Sequence, residues 1–366
     1  MEIVLTVGII SGISGILAFL LTLANNTIND YGDVKITINE SKEYDARGGS
    51  SLLGLLIENE VYIPSACGGK GSCGFCKVKV TEGGGPLLPT ETGYVTEEEA
   101  KDNIRLSCQV KVKNDIDIEI DEAIFNVKQY EYSVVKNESI TPSIKHLILR
   151  LPEGKEIDFK AGQYIQLLAP KYKGNREEVY RAYSLASSPN QKNEIELLIG
   201  FVPEGICTTY VHYHLDDKDK VTVVGPYGDF YYQDNDREMI MVAIGTGMAP
   251  ILSILRYMRE NRITDRKVTF FFGAKDEEEL FFDEEFQELE KELPKFRYIP
   301  SISRPKPDGK WNGEVGRVTD TITKYIENGE NKEAYLCGSP RMIDSVVDLL
   351  KEKGLEEEFI LYDKFS

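Results

Sequence analysis

The chain reads as a multidomain protein: an N-terminal transmembrane helix, a β-grasp domain, an antiparallel β-barrel and a doubly wound α/β domain. Three observations predict this. Residues 3–24 carry no charge over 22 positions. From residue 33 to about residue 233, apolar residues alternate in short runs punctuated by Gly and Pro, as β structure requires. After Glu238 the pattern changes to apolar strand, glycine turn and helix in succession, the pattern of a parallel sheet with helices on both faces.

The composition is that of an ordinary globular protein, 41% hydrophobic and 28% charged. A net charge of -18 leaves no basic stripe to neutralise phosphates, which excludes nucleic acid as a partner. Of six cysteines, four fall into one pattern and Cys207 and Cys337 stand alone, a usage that fits a reducing compartment.

The first element is Ile3 to Ala24, IVLTVGIISGISGILAFLLTLA, long enough at about 1.5 Å per residue to cross a hydrocarbon core of about 30 Å. Only Met1 and Glu2 precede it, so it lacks the basic region of a signal peptide. Gly8 with Gly12 and Ser11 with Gly15 place small residues at four-residue spacing, suited to packing on another membrane helix. The anchor is expected over 1–26, with domains at 33–122, 126–234 and 237–366.

In the first domain Val34, Ile36 and Ile38 alternate as a strand, and residues 50–58 (SSLLGLLIE) read as an amphipathic helix. Lys77-Val-Lys-Val-Thr-Glu-Gly is a strand and turn. Residues 93–102 form an acidic insert, and Val110, Val112, Ile116, Ile118 and Ile120 supply closing strands. Between them stands Cys67-Gly-Gly-Lys-Gly-Ser-Cys73-Gly-Phe-Cys76, and 31 residues then intervene before Cys108. A [2Fe-2S] cluster takes four thiolates, and a close trio with a distant fourth is one way to supply them. The gap of five before Cys73 is one residue longer than the plant-type spacing. Zinc usually takes two ligand knuckles, and Cys108 has no neighbouring Cys or His; zinc and unbonded core cysteines remain the competing readings.

The barrel is expected from strands at 132–135, 146–151, 164–168, 194–201 and 220–224. It carries Arg181-Ala-Tyr183-Ser184, a guanidinium for phosphate, a planar ring for an isoalloxazine and a hydroxyl for its N5. The run Gly205, Ile206, Cys207 and Thr208 opens a helix whose N–H groups suit a diphosphate, while the Cys207 thiol itself is read as inert. Singly these are a strand and a turn; together and in order they point to a flavin.

In the last domain strand 239–244 meets the turn Gly245-Thr246-Gly247-Met248-Ala-Pro and a helix over 251–262, the geometry for a pyrophosphate. Strands at 268–272, 296–301 and 334–336 follow, the last running into Cys337-Gly338-Ser-Pro340 and a helix over 342–353. Ligands of doubly wound sheets sit at the carboxyl ends of strands, so Cys337 is expected to line the nicotinamide site. His146, His212 and His214 show no ligand spacing and are read as structural or exposed.

These motifs in this order resemble the ferredoxin reductase family with a fused ferredoxin domain, and within it the F subunits of the sodium-translocating NADH:quinone oxidoreductases. The resemblance spans nearly the whole chain, including Gly-Pro-Tyr-Gly-Asp-Phe at 225–230 and the ending Ile-Leu-Tyr-Asp-Lys-Phe365-Ser. It implies that Arg181, Tyr183 and Ser184 hold FAD, with Gly205 to Thr208 at its diphosphate, and that Phe365 covers the flavin face where nicotinamide docks. It also implies a membrane-anchored enzyme, its bulk on the cytoplasmic side of the inner membrane. Such an enzyme takes hydride from NADH onto FAD and sends single electrons through the cluster to membrane partner subunits and ultimately quinone. One departure bears on the nucleotide: Ser303-Arg304 stands where family members favour an acidic residue, and a Ser-Arg pair suits the 2′-phosphate of NADPH. The acidic run Lys275-Asp-Glu-Glu-Glu279 opposes that if it lies nearby, and NADH is the expected donor. The alternatives are the reductase of a multicomponent oxygenase, which lacks the anchor, and a non-catalytic membrane scaffold with decayed sites.

Overall fold

The computed structural model describes residues 11–19, 31–65, 67–306 and 311–365. Residues 11–19 are helical with Ile13, Ile16, Leu17 and Phe19 exposed. Among the described residues no helix is long and apolar enough to cross a membrane, and the rest of the 3–24 run lies outside them. The chain divides into two compact units, one ending at Val127 and the other beginning at Lys128.

The first unit is a five-stranded mixed sheet. Its strands are β1 (Asp33–Ile38), β2 (Lys42–Arg47), β3 (Lys77–Glu82), β4 (Ile104–Leu106) and β5 (Ile116–Glu119), in spatial order β2-β1-β5-β3-β4. β1 runs parallel to β5, with Ile36 opposite Ile116, and every other pair is antiparallel. The alternation of β1 buries Val34, Ile36 and Ile38 against helix Leu52–Glu58, whose Leu52, Leu53, Leu55 and Leu56 face the sheet. Ser51 caps that helix by accepting from the Gly54 N–H at 3.2 Å. The acidic insert resolves into a helix at Glu97–Lys101 with a Thr96/Glu99 capping box. Val110 and Val112 are buried as expected but lie outside β5. Their backbone bonds instead to residues flanking the first helix, Leu52 N–H to Val110 O and Val112 N–H to Ser50 O.

The second unit opens with an antiparallel barrel. β6 (Lys128–Thr141), β7 (Ile144–Arg150), β8 (Tyr164–Ala169), β9 (Val179–Ser184), β10 (Glu194–Gly200) and β11 (Lys220–Tyr227) run in order β10-β7-β6-β11-β8-β9. A bridge from Leu185 to Leu197 joins the two edges. β6 is 14 residues long, where alternation predicted four. Register shifts between Val134 and Lys136 and between Ser139 and Thr141 break the period of two, which hides a long strand from pattern reading.

A parallel sheet follows, with β12 (Glu238–Ile244), β13 (Val268–Ala274), β14 (Phe296–Ile302), β15 (Glu314–Val315), β16 (Lys332–Gly338) and β17 (Ile360–Lys364) ordered β15-β14-β13-β12-β16-β17. Order reverses at β12, so the crevice beyond the carboxyl ends of β12 and β16 is the topological switch point. Helices Met248–Glu260 and Pro340–Glu352 begin two or three residues earlier than periodicity placed them. Pro250 and Pro340 sit in their first turns, where a missing N–H costs nothing. Barrel residues Ile144, Ala186 and Leu198 share one apolar core with Met241 and Cys337 of this sheet and Ile251 of helix Met248–Glu260.

Candidate functional site

In the first unit the four predicted thiols lie as two pairs. Cys67 lies beside Cys73, and Cys76 beside Cys108. Three are buried and Cys73 is half-buried; all six cysteines of the chain are free. Among the described residues, no group of three or more His, Cys, Asp or Glu converges on one ion-sized position.

Around the pairs the chain turns N–H groups onto sulfur. Burial disfavours the Cys67 thiolate, but the backbone N–H groups of Ser72 and Lys70 outweigh it and bring this thiol down to about 7. Cys108 falls to about 6, through its Cys76 neighbour first, with help from the Gln109 amide at 3.4 Å and the Gly71 N–H. Gly71 and Gly74 make this possible: both have positive φ, +73° and +74°. A Cβ at Gly71 would meet the Gln109 amide at 2.6 Å, and one at Gly74 the Tyr94 ring at 2.9 Å. Cys73 and Cys76 shift upward instead, Cys73 chiefly through burial and Cys76 chiefly through its Cys108 neighbour. Four clustered thiols with N–H groups turned onto sulfur fit an iron–sulfur cluster, whose ligand sulfurs accept hydrogen bonds.

In the second unit Arg181, Tyr183 and Ser184 all lie on β9. Register puts Tyr183 opposite Ile165 and Arg181 opposite Leu167, on the face turned to the barrel core. Ser184 pairs with Tyr164 on the other face. The Tyr183 side chain lies near the Cys207 thiol, and the residue is half-buried. Burial lifts that thiol to about 11, so Cys207 is the inert group expected. Gly205 is the N-cap of helix Ile206–Tyr213 with no side-chain cap, leaving the first-turn N–H groups for an anion. A Cβ there would strike Thr208 Oγ1 at 2.7 Å. Gln166 is 5% exposed, and its Nε2 has no hydrogen-bond partner. It stands opposite Ala182 and so on the Ser184 face of the barrel. An unmatched buried amide beside these residues fits a polar ligand such as FAD.

The Gly245–Gly247 turn follows β12, and Gly247 lies so close to β16 that a Cβ would come within 2.3 Å of the Cys337 carbonyl oxygen. Thr246 packs on Gly200 at the end of β10, joining the turn to the barrel. Met248 is fully buried, so only its backbone is available to a nucleotide. Gly338, with φ +144°, and Pro340 continue from Cys337 into the last long helix.

The Cys337 thiol is completely buried, and burial followed by the Asp363 charge pushes it well above its ordinary range. It is a neutral thiol shut away from solvent. Phe365 follows close by: its N–H donates to Gly338 O at 2.8 Å, and its ring packs half-buried on the shared core. Ser184 donates to Asp363 Oδ2 at 3.5 Å, and Asp363 stands opposite Cys337 in the β16–β17 register. The hydroxyl of β9 thus meets a carboxylate on the strand beside the thiol.

Ser303 N–H donates to Ala274 O and Arg304 N–H to Lys275 O, which lays this pair directly against the acidic run. Lys306 Nζ bonds Glu278 at 2.6 Å, and its N–H bonds Glu277. In the acidic run Glu278 is paired with Lys306 and Glu279 with Lys275.

A 2Fe-2S iron-sulfur cluster binding domain matches residues 36–113, an oxidoreductase FAD-binding domain 131–232 and an oxidoreductase NAD-binding domain 241–348. The F subunit of the Na(+)-translocating NADH-quinone reductase from Neisseria gonorrhoeae is 37% identical over the full length of both chains. Its counterpart from Idiomarina loihiensis, of the same name, is 37% identical over all of this chain and 99% of its own. The chain belongs to the family of these F subunits. Like its relatives it is an oxidoreductase, with FAD, a 2Fe-2S cluster and NADH as its cofactors. Among solved structures, a cytochrome P450 reductase from Amycolatopsis superposes with TM-score 0.74 at 26% identity, covering 91% of this chain and 98% of its own. The ferredoxin reductase of a carbazole 1,9a-dioxygenase gives 0.69 at 22% over 92% and 99%, a likeness of fold. The oxygenase-reductase alternative shares the architecture, while full-length sequence identity goes with the F subunits.

Two residues of this F-type chain, Asp363 and Gln166, are not singled out by its motifs. Asp363 stands inside the shared ending without a role, because nothing in sequence says that β17 lies beside Cys337. Gln166 is one polar residue in an apolar strand, a signal visible in YIQLLA.

Proposed function

We propose that this chain is the electron-input subunit of a membrane NADH:quinone oxidoreductase of the sodium-translocating type. In that reading residues 3–24 anchor it singly to the inner membrane, with domains 33–122, 126–234 and 237–366 on the cytoplasmic side. Partner subunits receive the electrons and pass them to quinone. Bound FAD supplies the change from hydride to single-electron chemistry, and the cluster carries the single electrons.

The residues divide the labour. Cys67, Cys73, Cys76 and Cys108 ligate iron as thiolates, with N–H groups of the loop turned onto the Cys67 and Cys108 sulfurs. Arg181 neutralises phosphate, Tyr183 presents its ring, and the open first turn at Gly205, Ile206, Cys207 and Thr208 receives the diphosphate. Gln166 satisfies its amide on the same ligand. Gly245, Thr246, Gly247 and Met248 offer backbone to the nucleotide pyrophosphate, and Cys337, Gly338 and Pro340 border the nicotinamide. Phe365 moves aside to admit it, and Ser184, oriented by Asp363, holds a proton at the reacting edge. Glu277 and Glu278 disfavour a 2′-phosphate, so NADH is preferred to NADPH.

The observation that carries this reading is the Ser184–Asp363 hydrogen bond, which joins the barrel strand to the strand lying beside Cys337 at the carboxyl end of the parallel sheet. Cys76→Ala tests the division of labour: the cluster EPR signal is lost while NADH still bleaches the flavin. Loss of both, in a chain that remains folded, refutes the assignment.

A further inference from the structure

Among the described residues of the first unit, the Ser107 hydroxyl is the one buried side-chain nitrogen or oxygen without a hydrogen-bond partner. Ser107 is completely inaccessible, so bulk solvent does not reach it. The backbone holds the residue firmly between two ligands. Its N–H donates to Cys76 O at 2.8 Å, its carbonyl accepts from the Leu53 N–H at 3.0 Å, and Cys108 is its neighbour in the chain. The hydroxyl is thus carried between the Cys76 and Cys108 backbones and makes no hydrogen bond to either thiol. A hydroxyl buried at such a place needs an acceptor, and the chain itself offers none.

We infer that Ser107 is a tuning residue of the iron–sulfur centre, its hydroxyl donating to the Cys76 sulfur when that sulfur is an iron-bound thiolate. This rests on the ligand assignment proposed above. A donor on a ligand sulfur stabilises the extra negative charge of the reduced centre, so Ser107 raises the reduction potential relative to an apolar residue. The loop's backbone donors are common to any side chain at 107. The hydroxyl alone depends on serine.

The test is an EPR-monitored redox titration of the full-length holoprotein, with flavin content as the control for folding. Ser107→Ala is expected to shift the cluster midpoint to a more negative value, Ser107→Thr to keep it near native, and Ser107→Val, matched to Thr in size, to shift it as Ala does. A midpoint unchanged in Ala, or equal in Thr and Val, overturns the inference. If the Ala chain retains no cluster, iron content of the other two decides: retention in Thr with loss in Val supports the hydroxyl, and equal retention or equal loss overturns it. Native protein with no cluster EPR signal would refute the ligand assignment instead, a separate outcome.

Discussion

Asp363 carries the sharpest consequence at the scale of one residue. Burial raises its carboxyl above the usual carboxylate range, and the Ser184 hydrogen bond offsets this only in part. A carboxyl whose folded pKa is raised binds more protons folded than unfolded, so stability falls as pH climbs from about 4 through the folded pKa. At pH 7 the ionised group is a burden on the fold. Asp363→Asn is therefore expected to melt at the same temperature as the native chain or higher at pH 7, while hydride transfer from NADH slows by about tenfold or more. A hydrogen bond to a charged group is worth about 1.5–3 kcal/mol, which sets that scale. Thermal unfolding and stopped-flow flavin reduction measure the two quantities; a less stable variant with native hydride transfer contradicts the expectation.

At the scale of elements, the barrel and the nucleotide sheet are locked by buried charge. Glu196 on β10 bonds His146 on β7 at 2.7 Å and Arg256 of helix Met248–Glu260 at 3.0 Å. Arg256 in turn forks onto Glu285 of helix Asp283–Glu292 at 2.7 and 2.9 Å. Burial opposes the Glu196 charge, but His146 and Arg256 prevail and hold its carboxyl down to about 2. A depressed carboxylate contributes stability above its unfolded pKa of about 4.3, and that stability is lost as pH falls toward about 2. Glu196→Gln leaves Arg256 partly unpaired in a buried place, at a cost of about 3–5 kcal/mol. The expected result is a lower unfolding midpoint at pH 7 that converges on the native value in acid, measured by denaturant titration at several pH values.

For the whole molecule, the division after Val127 means that each unit has its own core, the first built from Ile36, Leu56 and Ile116 and the second from the shared barrel and sheet cluster. Residues 128–366 expressed alone are expected to fold, bind FAD and be reduced by NADH, with no iron. Absorbance and metal analysis read this out, and an insoluble or colourless fragment rejects it.

By itself, the sequence determined the order of domains, the four cysteines and the glycine turns. These depend on local chemistry: periodicity, the need of a turn for positive φ, and the spacing of thiols along a short loop. Tertiary structure alone decided which residues from distant parts of the chain meet. Asp363 lies 179 positions from Ser184, Glu91 caps Arg105 in a buried pair, and Ser107 faces Cys76 because β3 and β4 are neighbours. No local period encodes such meetings. They arise when strand order brings β17 beside β16 and β4 beside β3, and burial then turns ordinary side chains into shifted acids, locked ion pairs and unmatched donors.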